Sequence, residues 1–540
     1  MKRYFFLFLI SLLVCQSCNQ NNTDLSGAAA DVSKNPISVS GMRFIDSFGR
    51  QVIFSGFNYV NKNPSENYLS HDSAEVFARM NSWGVNCLRL GIIWDGAEPE
   101  PGKFDEKYLD EIEKKVSWAA MHNIYVMLDM HQDLFSRKFS DGAPLWATLD
   151  ENLPHQTGSV WSDAYLMSMA VQRSFDNFWD NKPAPDGVGI QDHYINLWKH
   201  IAKRFSGYKN VIGYDVMNEP FNGSNANLVM PAILTEYAKM LVEETGQAPP
   251  GEQELMMLWA NEESRFEVLK KLATADKYSR IMDAAYPVNR EFETTQLQSF
   301  YQRATDAIRT VDSTRIIFLE HGYFGNTGIR SSIEPVKGKS GLPDPLQAYA
   351  AHGYDLLVDT REYDNSSNER VEFIFTRILE TSKRMNVPVL VGEWGGFSGE
   401  SAGSILPARH ILGIFEKSHF GNTYWAYGPG TSQSPGFKNG LLRPYPQFIA
   451  GSLISYSLNY DTGIFSCTWE ENQTLKAPTV IYIPDITNLK PATIRFTPAQ
   501  NKAFIQPIKN SVAGFLVVPV MGKGGTRSLE FNALTGQGQK

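Results

Sequence analysis

The chain has 540 residues, enough for one large barrel with an appended domain. At 42% hydrophobic and 20% charged residues it has the composition of a globular chain with a sizeable core, and aromatic residues make up 12%. A formal net charge of −8 with no Lys/Arg-rich run excludes nucleic acid and anionic membrane surfaces as electrostatic partners.

The N-terminus, MKRYFFLFLISLLVCQSC, sets two cations ahead of an apolar stretch and then small or polar residues. That is the pattern of a secretory signal, too short and wrongly flanked for a spanning helix. VCQSC followed by NQNNTDLSG resembles a bacterial lipoprotein signal, which implies a lipidated Cys18 and an exported protein held at the outer membrane, cell surface or periplasm. Residues 19–37 are small and polar and are expected to form a flexible tether. Of four cysteines, Cys15 and Cys18 lie in the signal, Cys87 in VNCLRL and Cys467 near the C-terminus, with no disulfide framework or metal-ligand spacing.

From residue 38 to 445, apolar runs alternate with amphipathic segments of helix length. The runs are 52–58, 85–90, 124–130, 211–217, 315–320, 348–352, 387–393 and 422–427; helices are expected at 73–83, 106–122, 191–206, 294–311, 368–385 and 404–418. Eight runs buried on both faces predict an α/β fold, a parallel (β/α)8 TIM barrel. A doubly wound open sheet is the alternative, but no Gly-rich phosphate turn follows the first run. Two insertions, 134–190 and 221–293, follow the third and fourth strands at their C-terminal ends, where barrel enzymes build their sites. Beyond Pro444 the texture becomes short, β-branched and alternating (TVIYIPDI, TIRFTPA, KAFIQPI, FLVVPV), so residues 446–540 are expected to form a separate antiparallel β-sandwich.

Polar residues close the barrel runs. Arg89 is on the second, His131 on the third, Asn218 and Glu219 on the fourth, His352 with Tyr354 at the sixth, Glu393 on the seventh and Trp425 on the eighth. In a parallel barrel these ends share one rim. A single buried Arg or His is ordinarily a satisfied structural group. Six strands ending this way bring more desolvated polar groups to one face than a structural barrel needs. Glu219 and Glu393 should face each other across the mouth. Glycoside hydrolysis needs such a pair, one carboxyl to protonate the leaving oxygen and one to act at the anomeric carbon. No Ser nucleophile elbow, HExxH, P-loop or Cys/His cluster competes for the chemistry. Asp129, His131 and Asp133 in DMHQD have ligand chemistry, but a strand giving way to a loop does not assure them a common direction, and no metal is expected.

Asn-Glu-Pro after the fourth run, Glu-Trp-Gly after the seventh, His-x-Tyr after the sixth and the Arg on the second resemble glycoside hydrolase family 5. LRLGIIWDGAEPEPGKFDEKYLDEI, MLDMHQDLFS, DGAPLWA, GYDVMNEP and RPYPQ are similar to endoglycoceramidases and their close relatives, over roughly residues 40–460. The resemblance implies Glu219 as general acid then base, and Glu393 as nucleophile of a retaining double displacement. Asn218 would hold the sugar 2-hydroxyl, Arg89 and Tyr354 would hydrogen-bond Glu393, His131 and His352 would line the −1 subsite, and Trp425 would floor it. Asp133, Lys62 and Trp179 are further candidates for sugar contacts.

The implied substrate is a glycosphingolipid or another β-glycoside. An apolar aglycone half would then draw on Leu145, Trp146, Phe178, Leu228 and Met230, unless these only pack the inserted helices. Other readings are a glucosylceramidase or steryl glucosidase, an endo-β-glucanase, or a non-catalytic carbohydrate-binding surface protein. The last is disfavoured because both glutamates and their supporting groups are present. No cofactor is expected. The protein is expected to be a monomer that meets membrane through its lipid anchor and its substrate.

Overall fold

A computed structural model describes residues 31–358, 360, 363–397 and 402–533. The expected signal with Cys18, most of the tether and the C-terminal GQGQK lie outside the described residues.

All eight apolar runs become strands of one parallel sheet: Ser55–Tyr59, Cys87–Ile93, Tyr125–His131, Val211–Asp215, Ile316–Leu319, Gln347–Tyr349, Leu390–Val391 and Gly421–Tyr424. Consecutive strands pair in parallel and the eighth returns to the first. The ring closes between the sixth and seventh through a parallel bridge from Tyr349 to Val389 and the short pair His352–Gly353 with Glu393–Trp394. The second and third strands are buried at all seven positions. One face meets the barrel interior and the other the surrounding helices, which is why these runs are continuously apolar rather than alternating.

Helices Ala74–Ser82, Glu106–Met121, Ile190–Phe205, Gln298–Arg309, Asn368–Met385 and Ile405–Ser418 cover the barrel. Their limits follow local chemistry. The Asp105 carboxylate accepts from the first-turn N–H groups of Lys107 and Tyr108, and Asn386 ends its helix in the left-handed conformation at φ 55°. The helix expected to start at 294 instead opens with a π turn, Glu293–Leu297. There the buried Glu293 carboxylate reaches across to accept from Gly322 N, at 2.8 Å, and Ser332 N.

The C-terminal sandwich has a seven-stranded and a four-stranded antiparallel sheet. The larger one contains a correction to the expected boundary. Strands Ile37–Ser40, Arg43–Asp46 and Gln51–Val52, placed by sequence within the barrel segment except for Ile37 at the end of the tether, belong to this sheet, with Val52 and Gln51 paired to Phe448 and Ile449. The end of the expected tether is also packed rather than free: Val32 and Ile37 are buried, and the Asn35 carbonyl accepts from Tyr125 Oη at 2.9 Å. Phe44 stands edge-on to Phe54 with centroids 5.1 Å apart, and 6.2 Å from Phe318. These side chains join Cys87, Tyr125, Ile212 and Ile316, from the beginnings of barrel strands, in one apolar cluster with the sandwich. The hairpin and sandwich thus close the N-terminal end of the barrel and leave its C-terminal end open.

Candidate active site

Arg89 stands at the centre of the open end with no exposed surface. Its Nε donates to Asp215 at 2.8 Å. Nη1 donates to Asn58 at 3.0 Å and to Glu393 at 2.7 Å, and Nη2 donates to Asn218 at 2.8 Å and Glu320 at 2.9 Å. Asp129 lies 2.9 Å from Nη2. A guanidinium this deeply buried is tolerable only when its donors are matched, and a rigid fork among carboxylates does that. It also fixes Glu393, whose second oxygen accepts from Tyr354 Oη at 2.9 Å.

Glu219 sits just past the fourth strand at φ 45°, a conformation uncommon for a non-glycine residue and concentrated at functional sites. Its Oε1 accepts from Asn326 Nδ2 at 2.6 Å and faces His352 Nδ1 at 3.0 Å. His352 pairs in register with Glu393 on the neighbouring strand, its Nδ1 3.7 Å from that carboxylate. Oxygens of Glu219 and Glu393 approach within 4.8 Å of one another. An approach this close suits a retaining pair, whose carboxyl groups stand about 5–5.5 Å apart.

The two carboxyls are pushed in opposite directions. Burial raises Glu219 to about 7, with the negative Glu393 acting the same way and His352 against it. Burial would raise Glu393 too, but His352 and Arg89 together outweigh it and hold its carboxyl below the usual range. His352 is itself held well above its ordinary value: burial opposes its charge, and Glu320, Glu393 and Glu219 overcome that. His131 is driven down to about 3 by burial and by Lys62, so it is neutral.

His131 donates to or accepts from Asp129 at 2.9 Å and stacks on Trp425, rings 5.2 Å apart and 12° from parallel. Lys62 pairs with Asp133 and lies 4.4 Å over the Trp425 ring. Lys62, His131, Asp133, Glu219, Tyr354, Glu393 and Trp425 line one cavity. Asn218 contacts Arg89 and the Gln132 carbonyl, 2.9 Å from its Nδ2. Trp179 does not join them. It is buried against Phe178, Phe292 and Phe300, and its Nε1 donates to the Phe221 carbonyl at 2.8 Å. Residues 175, 178 and 179 lie on one helical stripe turned to the core. Asp129, His131 and Asp133 do point the same way, in spite of the break from strand to loop. His131, Asp133 and Asp141 bring ligand atoms within 4.8 Å of one another, as do Asp129, Asp215 and Glu320. Lys62 and Arg89 already supply cationic charge to these two sets.

The cavity, of about 310 Å³, continues from the carboxylates into an apolar groove. Val229, Met230, Ile233, Leu234 and Tyr237 of helix Val229–Thr245 form one side, with Leu258, Leu269 and Met282 from the next three helices. Trp161 and Leu166 from the first insertion and Phe324 from the loop after the fifth strand complete it. Of the five groove residues expected from sequence, Met230 alone is in this lining. Phe178 is core, Trp146 packs on Trp94 and His193, and Leu145 and Leu228 are exposed elsewhere. Sequence reasoning also missed Asn326 and Glu320. The signal for Glu320 was its place as the acidic end of the fifth run, RIIFLE.

The family model for Cellulase (glycosyl hydrolase family 5) matches residues 45–431, and the glycoside hydrolase family 5 C-terminal domain matches 443–510. The chain is 24% identical to an endoglycoceramidase of Hydra vulgaris over 562 aligned residues, covering 92% of this chain and 91% of that one. An endoglycoceramidase of Cyanea nozakii is 35% identical over 237 residues, 38% of this chain and 45% of the relative, so that match spans less than half of it. The solved structure of endo-glycoceramidase II from Rhodococcus sp. superposes with a TM-score of 0.67 at 25% identity, covering 90% of this chain and 98% of that one. The fold, the two matched domains and the carboxylate pair agree: the chain is a glycoside hydrolase and belongs to family 5.

Proposed function

We propose that the protein is a retaining, endoglycoceramidase-type β-glycosidase that cleaves the bond between the glycan and the lipid of glycosphingolipids. The observation that carries this reading is the continuity of the cavity. Glu219 and Glu393 lie in the same space as an apolar groove long enough to involve four helices. A sugar-only substrate would have no use for that groove, whereas a lipid aglycone gains from every buried methylene.

In the mechanism that follows, Glu219 Oε1 is occupied by Asn326 and His352, which leaves Oε2 to carry the proton. Glu219 protonates the glycosidic oxygen as the lipid alcohol departs, while the ionised Glu393 attacks the anomeric carbon to form a glycosyl-enzyme. Glu219, now deprotonated, takes a proton from water as that water releases the sugar from Glu393, and both groups return to their starting states. Arg89 and Tyr354 hold Glu393 as an anion and in line. Lys62, Asp133 and Trp425, which line the same cavity, would bind sugar hydroxyls and a ring face.

The test is product analysis with lactosylceramide or a ganglioside and the full-length protein. Release of the intact oligosaccharide together with ceramide is expected, and Glu393→Gln should abolish it. Glucose as the sole sugar product from glucosylceramide would favour the exo-acting alternative. Activity retained in Glu393→Gln would remove the nucleophile assignment.

A further inference from the structure

Glu320 lies just beyond the fifth strand, fully buried and outside the cavity lining, yet its contacts reach the proton donor from two sides. Its own backbone is clamped by Tyr301: the Glu320 N–H donates to Tyr301 Oη at 3.2 Å, and that hydroxyl donates to the Glu320 carbonyl at 2.9 Å. Glu320 Oε2 accepts the backbone N–H of Glu219 at 2.9 Å. Oε1 accepts from Arg89 Nη2 at 2.9 Å and lies 3.2 Å from His352 Nε2. His352 presents its other nitrogen to the Glu219 carboxylate. One side chain therefore touches both the main chain of Glu219 and the ring that faces its acid group.

The first contact bears on conformation. Glu219 occupies the left-handed region at φ 45°, which a glutamate does not favour by itself. A charge-assisted bond from its N–H to a fixed carboxylate is the type of restraint that keeps such a backbone in place. The second contact bears on charge. Around Glu320 stand Arg89 from the second strand, Asp129 from the third, Asp215 from the fourth and His352 from the sixth, with His321 Nε2 3.1 Å from the His352 carbonyl. Burial raises Asp129 to about 7 and Asp215 above its ordinary range; burial pushes Glu320 the same way, but His352 and Arg89 hold it below its own.

We propose that Glu320 is the positioning residue of the proton donor, fixing the backbone of Glu219 and the ring of His352 so that the Glu219 carboxyl is aimed at the departing oxygen. This rests on the reading of Glu219 as the acid. It makes a claim that a merely structural carboxylate would not satisfy, because help from an acid matters in proportion to how poor the leaving group is. A lipid or alkyl alcohol needs the proton, whereas a dinitrophenolate leaves without it.

The experiment compares kcat/KM for an alkyl β-glycoside and a dinitrophenyl β-glycoside in the wild-type protein, Glu320→Gln, Glu320→Asp and Glu219→Gln. Glu320→Gln is expected to lose about 100-fold or more on the alkyl glycoside, within the range of general-acid contributions, and less than about threefold on the dinitrophenyl glycoside. Glu320→Asp keeps the charge but shortens the reach; it should show the same split at smaller size, and serves if the glutamine variant does not fold. Equal losses on both substrates, or none on either, would overturn the proposal. Glu219→Gln separates the two levels. If it shows the split and the Glu320 variants do not, only the positioning role falls. If it loses both substrates equally, the acid assignment itself is wrong.

Discussion

Glu219 and Glu393 carry the same functional group at similar burial, and their neighbours drive them to opposite protonation states. For Glu393 the decisive neighbours are cations: His352 and Arg89 stabilise the carboxylate more than burial penalises it. For Glu219 burial wins and the carboxyl is raised to about 7. The sign of the pH dependence follows. The acid must hold its proton, so activity is lost as pH rises through about 7. The nucleophile must be ionised, so activity persists on acidification until pH falls below the ordinary glutamate value of 4.5. A pH profile of kcat/KM on an alkyl β-glycoside should therefore fall above neutrality, and a profile that stays flat or rises through pH 8 would contradict the assignment. These two residues were legible in the sequence because strand position alone brings Asn-Glu-Pro and Glu-Trp-Gly to one rim. Glu320 could be placed on the same rim as the acidic end of RIIFLE, but its role could not be read, since it depends on accepting a backbone N–H, which no side-chain motif announces. Trp179 was misplaced for the reverse reason: its chemistry suited a sugar, but its helical phase with Phe175 and Phe178 put it in the core.

The helices inserted after the fourth strand line the groove proposed to take the lipid, as the strand ends line the carboxylate end of the cavity. In helix Val229–Thr245 the lining residues Val229, Met230, Ile233, Leu234 and Tyr237 recur at offsets 0, 1, 4, 5 and 8, one continuous face. That face turns toward the catalytic cavity, and Arg265 of a following helix pairs with Asp163 of the first insertion, 3.2 Å apart, so the two insertions meet over the groove. Ile233 is half-buried and lies in the lining, so a charge there would meet the lipid without breaking the core. Removing its apolar contact and placing a carboxylate beside a chain should cost about 1.5–3 kcal/mol of binding, or roughly 10–100-fold. Ile233→Asp is thus expected to lower kcat/KM on a glycosphingolipid by about that factor while leaving a nitrophenyl β-glycoside within about twofold. Parallel loss on both substrates would show that the groove does not hold the aglycone. The position and helical nature of this insertion could be read from sequence. Its lining could not, because an amphipathic helix shows which residues share a face and not which partner that face meets.

At the scale of the molecule, the eight strands were legible because a parallel barrel demands apolar runs of strand length at every turn of the chain. The N-terminal hairpin was not, because its strands of two to four residues pair with a strand about 400 positions later, Phe448 with Val52, and no local pattern records that. The consequence is mechanical. Phe44, 3% exposed, stands between Phe54 at the entrance to the first barrel strand and Phe318 on the fifth, while its own strand belongs to the sandwich sheet. Arg50 ties the same hairpin to the sandwich through the Pro478 carbonyl, 3.1 Å away, and to Asp46 through a buried pair at 2.8 Å. Barrel, hairpin and sandwich thus share one apolar cluster at the end opposite the carboxylates. Phe44→Ala should open a cavity in that cluster and destabilise the fold by about 3–5 kcal/mol. Since the change lies at the far end of the barrel, kcat/KM of the folded protein should stay within about twofold. Denaturant titration followed by barrel and sandwich probes would check this. One shared transition at a lowered midpoint is expected; a sandwich that unfolds separately from the barrel would mean that the shared cluster does not couple the two.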